Sequence, residues 1–113
     1  GRTDDMIISA GYTIGPFDIE DALLKHPLVQ ECAVVASPDE IRGNVVKAFI
    51  VLKDVEIAVE SDIVKELQDY VKSVLAPYSY PRKIEFLEEL PKTMSGKIRR
   101  TELRKREQQK GIN

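Results

Sequence analysis

The sequence predicts an α+β fold, in which a small three-stranded, mostly antiparallel sheet with flanking helices stands beside a separate β-hairpin. Three observations favour this fold: short β-branched runs, apolar residues at helical spacing, and turns rich in glycine and proline between them. A length of 113 residues suits a single domain, 1–113. A hydrophobic content of 42% and a charged content of 32% are typical of a soluble globular protein.

The first two predicted elements are a hairpin and a helix. In the hairpin, 6–14, β-prone residues flank the small pair Ala10-Gly11, which suits a tight turn. The helix begins at Pro16, because proline is tolerated at the first helical position. It ends at His26, which precedes another proline, and we interpret this histidine as a helix-terminal cap or a partner of the helix dipole rather than a catalytic residue.

Two long strands are predicted next, at 29–36 and 45–53. The turn-rich segment 37–43 between them indicates an antiparallel pair. Apolar residues occupy both sides of the second strand, so both of its faces are expected to be covered. Ala48, Ile50 and Leu52 share one side, and Phe49 and Val51 share the other.

A second helix is predicted over 62–75, where apolar residues recur at helical spacing after Ser61, a plausible cap. A third strand follows at 83–87. With the first helix, this second helix is expected to cover one face of the sheet.

The last predicted helix is highly charged and begins at a cap formed by Thr101. It extends to about Lys110 and is polar nearly all round. It therefore either packs through Leu103 alone or frays without a partner. We expect the tail, 108–113, to fray.

Charge is distributed unevenly along the chain, whose net charge is −2. Residues 92–113 include eight basic and two acidic residues and so carry +6, whereas the remaining residues carry −8. Such a basic segment can bind nucleic acid, dock on an acidic face of a larger protein, or attract the phosphates of a nucleotide. Few aromatic side chains interleave with these charges, which argues against binding to single-stranded nucleic acid.

Disulfides, metal sites and membrane spans are not predicted. Cys32 is the single cysteine and lies in an apolar run, so we interpret it as a buried hydrophobic residue. No Cys/His cluster suggests a structural metal, and no apolar run is long enough to span a membrane. No targeting sequence is recognised at the start, and Gly1 stands in place of an initiator methionine, so we expect the chain to be a piece of a longer protein.

The segment 91–100 presents a lysine from a loop. Pro91 ends the preceding strand, Gly96 permits unusual backbone angles, and Lys97 follows directly. An ammonium group on a flexible stem can follow a moving phosphate or carboxylate as a point charge. The alternative interpretation is a solvated basic turn, since most surface lysines have no specific role.

Two long motifs give these residues a family context. The run Pro-Lys-Thr-Met-Ser-Gly-Lys-Ile-Arg-Arg at 91–100 resembles a motif of the adenylate-forming enzymes, which include acyl-CoA synthetases, peptide-synthetase adenylation domains and beetle luciferases. Residues 1–20 resemble the hinge and hairpin of the same enzymes. The resemblance covers 1–107 and is strongest with medium-chain and acetate-type acyl-CoA synthetases, through Arg42-Gly43, 46–49 and 78–86.

The resemblance implies the mobile C-terminal domain of an AMP-forming acyl-CoA synthetase. Such an enzyme converts a carboxylic acid, ATP and CoA into acyl-CoA, AMP and diphosphate through an acyl-adenylate. Lys97 would serve adenylation from its loop, and the 6–14 hairpin would serve thioesterification after the domain rotates. Asp4 would be the hinge within 1–5, and Arg2 would contact the nucleotide, commonly its ribose.

The resemblance also implies a set of CoA contacts. Ala10, Gly11 and Tyr12 match the segment that lines the pantetheine tunnel, and cations with an aromatic ring suit the CoA nucleotide. Thr13 departs from the pattern, because relatives often carry arginine there. The nucleotide contacts implied by the match are Arg42, Lys72, Tyr80, Pro81 and Arg82.

Partners and location follow as expectations. The partners are an N-terminal domain of the same enzyme, a carboxylic acid, ATP and CoA, with Mg2+ bound beside ATP outside this chain and no nucleic acid. The domain alone is expected to be inactive, and its location to be cytoplasmic or, in a eukaryote, the mitochondrial matrix. Two other functions stay open: an adenylation domain that loads a carrier-protein thiol, and a non-catalytic module that binds nucleic acid or a partner through its basic tail.

Overall fold

Alternating apolar residues and helix-start signals produce the elements that the sequence predicts. The computed structural model describes residues 6–54 and 62–112. Strands β3, β4 and β5 form one sheet in that order, and β1 and β2 form a separate hairpin, which confirms the α+β class. In chain order the elements are β1 (Ile7–Ser9), β2 (Tyr12–Ile14), α1 (Pro16–Leu24), β3 (Val29–Asp39), β4 (Gly43–Leu52), α2 (Ile63–Val74), a 3-10 turn (Pro77–Ser79), β5 (Lys83–Phe86) and α3 (Arg100–Ile112).

The sheet is mixed, so the prediction of a mostly antiparallel sheet was wrong for one of its two strand pairs. Strands β3 and β4 are antiparallel, but β5 runs parallel to β4, with Lys83 opposite Lys47. The reason is the connection between β4 and β5, which passes through α2. A crossover of that length carries the chain back to the starting end of the sheet, and the next strand then points the same way.

Several element boundaries differ from the predicted ones. The predicted loop 37–43 is mostly strand, since β3 continues to Asp39 and β4 begins at Gly43. The prediction that Thr101 caps the last helix was wrong, because α3 begins one residue earlier and the hydroxyl of Thr101 accepts a hydrogen bond from Arg104 in the same helix. That helix extends to Ile112, and the expected fraying of 108–113 stays a prediction.

Helix α2 begins after Asp62, whose carboxylate accepts a hydrogen bond from the N–H of Lys65. The predicted cap, Ser61, lies outside the described residues. Across 6–54 and 62–112, no helix combines the length and the apolar character needed to cross a membrane.

One face of the sheet packs against α1, α2 and the hairpin. Every second residue of β4 points to this side, as the alternation of the sequence predicts. The hairpin contributes Ile7 and Ile14 to the same core, so its base is held by apolar packing while its tip extends outward. The helices contribute Ile19 and Leu23 from α1, and Ile63, Leu67 and Val71 from α2.

The other face of the sheet is covered by α3. Phe49 and Val51 of β4 point to this side and pack with Leu90 and Leu103, which are both buried. The sequence left open whether α3 packs through Leu103 alone or frays. The helix does pack, and Leu103 is not its only buried residue.

The second buried residue of α3 is an acid, Glu107, which is 2% exposed. One carboxylate oxygen lies 3.0 Å from Nζ of the buried Lys47, and the other accepts a hydrogen bond of 2.9 Å from the hydroxyl of Ser37. Lys47 also contacts Glu85 of β5 at 3.1 Å. Burying these charges is costly unless their hydrogen bonds are satisfied, and here the sheet supplies the partners.

We expect Glu107→Leu to lower the free energy of unfolding by about 3 kcal/mol, because, among the described residues, it leaves the buried Lys47 with the partly exposed Glu85 as its remaining charge partner. Urea denaturation measures this value. The double variant Lys47→Met/Glu107→Leu should recover most of the loss, and Gln108→Leu, at an exposed neighbouring position, should have little effect. A double variant as unstable as the single one would contradict the explanation.

Candidate functional site

The lysine loop, residues 91–100, is a small closed structure rather than an open turn. An antiparallel bridge joins Lys92 to Ile98 across its base. The N–H of Thr93 donates to the carbonyl of Lys97 at 2.8 Å. Gly96 has φ +88°, and a Cβ there would meet nothing within 4 Å, so the backbone angle rather than lack of space favours glycine.

The side chain of Lys97 extends from this loop into solvent. Within the described part of the chain it makes no hydrogen bond or ion pair, although its backbone N–H donates to the hydroxyl of Thr93 at 3.1 Å. Ile98 packs against the core that contains Leu90. The base of the loop is therefore anchored while its ammonium group can meet an external anion.

The hairpin tip is the second exposed feature. Ala10 and Gly11 have φ of +51° and +86°, the consecutive positive angles that a tight two-residue hairpin turn requires. A Cβ on Gly11 would meet nothing within 4 Å inside this domain. The N–H of Ala10 donates to the carbonyl of Arg42 at 3.0 Å, which brings a predicted CoA contact beside the tip.

The turn that carries Arg42 is organised by Asp39. Its carboxylate accepts hydrogen bonds from the N–H groups of Arg42 at 2.9 Å and Ile41 at 3.2 Å. The hydrogen bond from Arg42, with that from Ile41 and the positive charges of Lys83 and Arg42, holds the pKa of Asp39 below its usual value. Asp39 was not among the predicted site residues, although an aspartate at the start of a turn commonly accepts hydrogen bonds from the backbone N–H groups that follow it.

Aromatic rings and cations surround the end of α2. Tyr12 of the hairpin stacks on Tyr78, with ring centroids 4.2 Å apart and planes 13° apart. The ring of Tyr80 has Nζ of Lys72 at 4.2 Å and the guanidinium of Arg82 at 4.8 Å. One cluster is thus formed by Lys72, Tyr80 and Arg82. The stack of Tyr12 on Tyr78 links the hairpin to the segment that contains Tyr80.

Pro81 and Thr13 lie outside this cluster. Pro81 is buried, and its carbonyl accepts a hydrogen bond of 3.0 Å from the amide of Gln68. Thr13 lines a surface cleft of about 240 Å³ together with Gly15 and Tyr78. Tyr78 was quoted in the matching run 78–86 but was not chosen as a site residue, because its stacking partner is distant in sequence.

The predicted site residues fall into two groups that the fold separates. The hairpin is rooted in the core on the α1 and α2 side of the sheet, whereas Leu90 and Ile98, which flank the lysine loop, pack in the core on the α3 side. The structure therefore does not bring the hairpin and Lys97 into one site. The predicted nucleotide contact Arg2 and hinge Asp4 lie outside the described residues.

The single cysteine and the single histidine are both buried and lie outside these groups. Burial, with the nearby Glu20 carboxylate, raises the pKa of the Cys32 thiol to about 12. His26 accepts a hydrogen bond from the N–H of Leu28 at Nδ1, and its Nε2 lies 3.1 Å from Glu66 of α2. Within 6–54 and 62–112, no group of three or more His, Cys, Asp or Glu residues could hold a metal ion.

Comparison with known proteins identifies relatives along the whole chain. Residues 18–97 match the family described as the AMP-binding enzyme C-terminal domain. The uncharacterized acyl-CoA ligase YtcI of Bacillus subtilis is 65% identical over 112 residues, covering 99% of this chain and 21% of YtcI. The mitochondrial acyl-coenzyme A synthetase ACSM3 of Rattus norvegicus is 60% identical over 107 residues, covering 94% of this chain and 18% of ACSM3.

A solved structure shares the fold. The crystal structure of the anthranilate CoA ligase AuaEII in complex with anthranoyl-AMP matches with a TM-score of 0.88 and 41% identity, covering 100% of this chain and 22% of that chain. The small mixed sheet with its separate hairpin therefore has the fold of a domain that occurs in CoA ligases. The chain belongs to the AMP-binding enzyme C-terminal domain family, and it spans about a fifth of the length of the relatives it matches.

We expect Cys32 to be unreactive in the folded domain, because a buried thiol with a pKa of about 12 carries almost no thiolate at pH 8. Labelling with a chromogenic disulfide reagent should be slow in buffer and should reach one equivalent in denaturant, since Cys32 is the single cysteine. Rapid labelling of one equivalent without denaturant would contradict this prediction.

We expect Asp39→Ala to loosen the hairpin tip, because it removes the acceptor that fixes the turn behind Ala10. Hydrogen exchange of the Ala10 amide should accelerate, whereas Glu40→Ala, at the exposed next position, should leave it unchanged. Because the folded pKa of Asp39 is lowered, this support should be complete above its usual pKa of 3.8 and be lost as the pH falls through the lower folded pKa. Equal exchange rates in both variants would refute the assignment.

Proposed function

We propose that this chain is the C-terminal domain of an AMP-forming acyl-CoA synthetase. The observation that carries the proposal is the pair of exposed ends on opposite sides of one small sheet: a lysine loop and a glycine-tipped hairpin. The enzyme would catalyse two half-reactions. A carboxylate and ATP would give an acyl-adenylate and diphosphate, and the adenylate and CoA would then give acyl-CoA and AMP.

In the first half-reaction a carboxylate oxygen attacks the α-phosphorus of ATP and diphosphate leaves. Attacker and target are both anionic, so a cation near the reacting atoms lowers the barrier. Lys97 would supply that cation. At 4 Å a unit charge pair is worth about 1 kcal/mol in water and about 4 kcal/mol near a protein surface, so the ammonium acts strongly only once a cleft encloses it.

In the second half-reaction the CoA sulfur attacks the acyl carbonyl and AMP leaves. The backbone of Ala10, Gly11 and Tyr12 would line the path of the pantetheine arm, where a glycine lets a narrow chain pass close to the backbone. Arg42 lies behind the hairpin tip and would reach a CoA phosphate. The remaining proposed contacts with the CoA nucleotide are Lys72, Tyr80, Pro81 and Arg82.

The cluster around Tyr80 supports the assignment of the nucleotide. Lys72 and Arg82 lie on the ring at 4.2 and 4.8 Å, so an aromatic surface and two cations are already assembled in one place. An adenine ring can stack on an aromatic or guanidinium plane, and the two charges can meet phosphates. Thr13, which lines a cleft with Tyr78, cannot supply the charge of the arginine often found in relatives.

A rotation of the domain would let its two ends serve one active site in turn. The lysine loop and the hairpin are attached to cores on opposite faces of the sheet, so each orientation of the domain would present one of them to the active site. Asp4 would absorb the change in backbone torsion, and Arg2 would contact the nucleotide ribose. Both belong to the proposed hinge region, 1–5.

The remaining roles are assigned to the larger part of the enzyme. An N-terminal domain would hold ATP, the acid and Mg2+, and the isolated C-terminal domain would be inactive. We propose a cytoplasmic or mitochondrial-matrix location, which the bacterial and mitochondrial relatives support in turn. No relative described above favours carrier-protein loading or nucleic-acid binding.

We expect Lys97→Ala in the full-length enzyme to lower acid-dependent ATP–diphosphate exchange by at least about 100-fold, the usual loss when one charge-stabilising group is removed. Thioester formation from supplied acyl-adenylate should change less than about threefold. Gly11→Asn should show the opposite pattern, since asparagine tolerates a positive φ but adds bulk at the tip.

The two variants act as controls for each other. A general loss of folding would lower both half-reactions in either variant, and thermal unfolding of each protein would reveal it. If Lys97→Ala lowered both half-reactions equally, or neither, the proposed role of the lysine would be wrong.

A further inference from the structure

Arg100 lies three residues after Lys97, at the first position of α3, and its side chain turns back toward α1. The guanidinium donates from Nε to one carboxylate oxygen of Glu20 at 3.2 Å and from Nη2 to the other oxygen. It also lies over the ring of Phe17, 4.9 Å from its centroid. Such a two-pronged contact fixes both the distance and the direction of the arginine.

Glu20 is itself held in place. Its side chain is 7% exposed, and the oxygen that accepts from Nε of Arg100 also accepts a hydrogen bond of 2.8 Å from the N–H of Val34. The carboxylate therefore ties together α1, the outer edge of β3 and the start of α3. A buried ionised group with this many partners has one favourable arrangement.

The contact anchors one end of the lysine loop. At that end the N–H of Arg99 donates to the carbonyl of Pro91 at 2.8 Å, so Arg100 follows directly after the point where the loop closes. At the other end Lys92 pairs with Glu31 of β3, but this pair is more exposed and so contributes less. Both ion pairs join the loop to neighbouring elements, α1 or β3. The pair of Arg100 and Glu20 is the more buried of these two.

We propose that Arg100 is a positioning residue for adenylation: it holds the lysine loop so that the ammonium of Lys97 enters the active site at the correct distance. This inference rests on the proposed function of Lys97. Arg100 need not touch substrate, because its guanidinium is engaged by Glu20. A displacement of a reacting or stabilising group by about 1 Å can cost about 100-fold in rate, so a loose anchor would slow the chemical step.

The test uses the full-length enzyme and measures the two half-reactions separately. Arg100→Met should lower kcat of ATP–diphosphate exchange by about 10- to 100-fold with little change in KM for ATP, and should leave thioester formation from supplied acyl-adenylate within about threefold of wild type. Arg100→Lys keeps the charge but loses the fork and should restore part of the rate. Glu20→Gln keeps an acceptor for Val34 and should lower the same half-reaction.

Arg104→Met is the matched control, because Arg104 lies one turn further along α3 and donates within its own helix to Thr101. It should leave both half-reactions near the wild-type rates. If Arg100→Met does not fold, as thermal unfolding would show, the comparison of Arg100→Lys with Glu20→Gln carries the test.

Lys97→Ala measured alongside separates the two proposals. If it abolishes exchange while the Arg100 and Glu20 variants stay at the wild-type rate, or lower both half-reactions equally, the positioning role is wrong and the function of Lys97 stands. If Lys97→Ala leaves exchange unchanged, both proposals fail. A selective loss of exchange in all three positions supports them together.

Discussion

The position of the lysine loop depends on how a polar helix, α3, is attached to an apolar sheet. Helix α3 offers Leu103 to the core, but its position is set by charges at two points: Arg100 on Glu20 at its start and Lys47 on Glu107 farther along. Charged anchors differ from apolar ones because they tolerate little sliding. A leucine side chain can shift slightly over an apolar surface at small cost. A buried ion pair cannot, because the attraction between its charges no longer offsets the cost of removing them from water when its geometry changes.

The hairpin is held by an unrelated set of contacts. Its base is apolar, its tip is hydrogen-bonded to the β3–β4 turn, and its flank stacks on Tyr78. The lysine loop and the hairpin are therefore both attached to the same sheet. The described residues show no direct contact between them. This separation is consistent with the proposed use of the two ends in successive half-reactions, since a substitution at one end need not disturb the other.

The sequence predicted local features well and long-range partners poorly. Alternation in β4 correctly assigned Ala48 and Phe49 to opposite faces, and the small residues of the hairpin tip adopt the turn expected of them. The direction of β5 could not be read, because a four-residue strand carries no signal of its orientation and the crossover decides it. Glu107 looked like one more solvated charge, since nothing in its own helix reveals a lysine 60 residues away.

The pairing of Glu20 with the N–H of Val34 also affects how this domain behaves among other molecules. Strand β3 lies at the border of the sheet and contains a β-branched, uncharged run of the kind that recruits foreign strands. The carboxylate of Glu20 accepts a hydrogen bond from the outward-facing N–H of Val34. An incoming strand would have to displace this carboxylate and the guanidinium of Arg100 that is bonded to it. The carboxylate of Glu20 therefore also opposes edge-to-edge aggregation at this edge strand of the sheet.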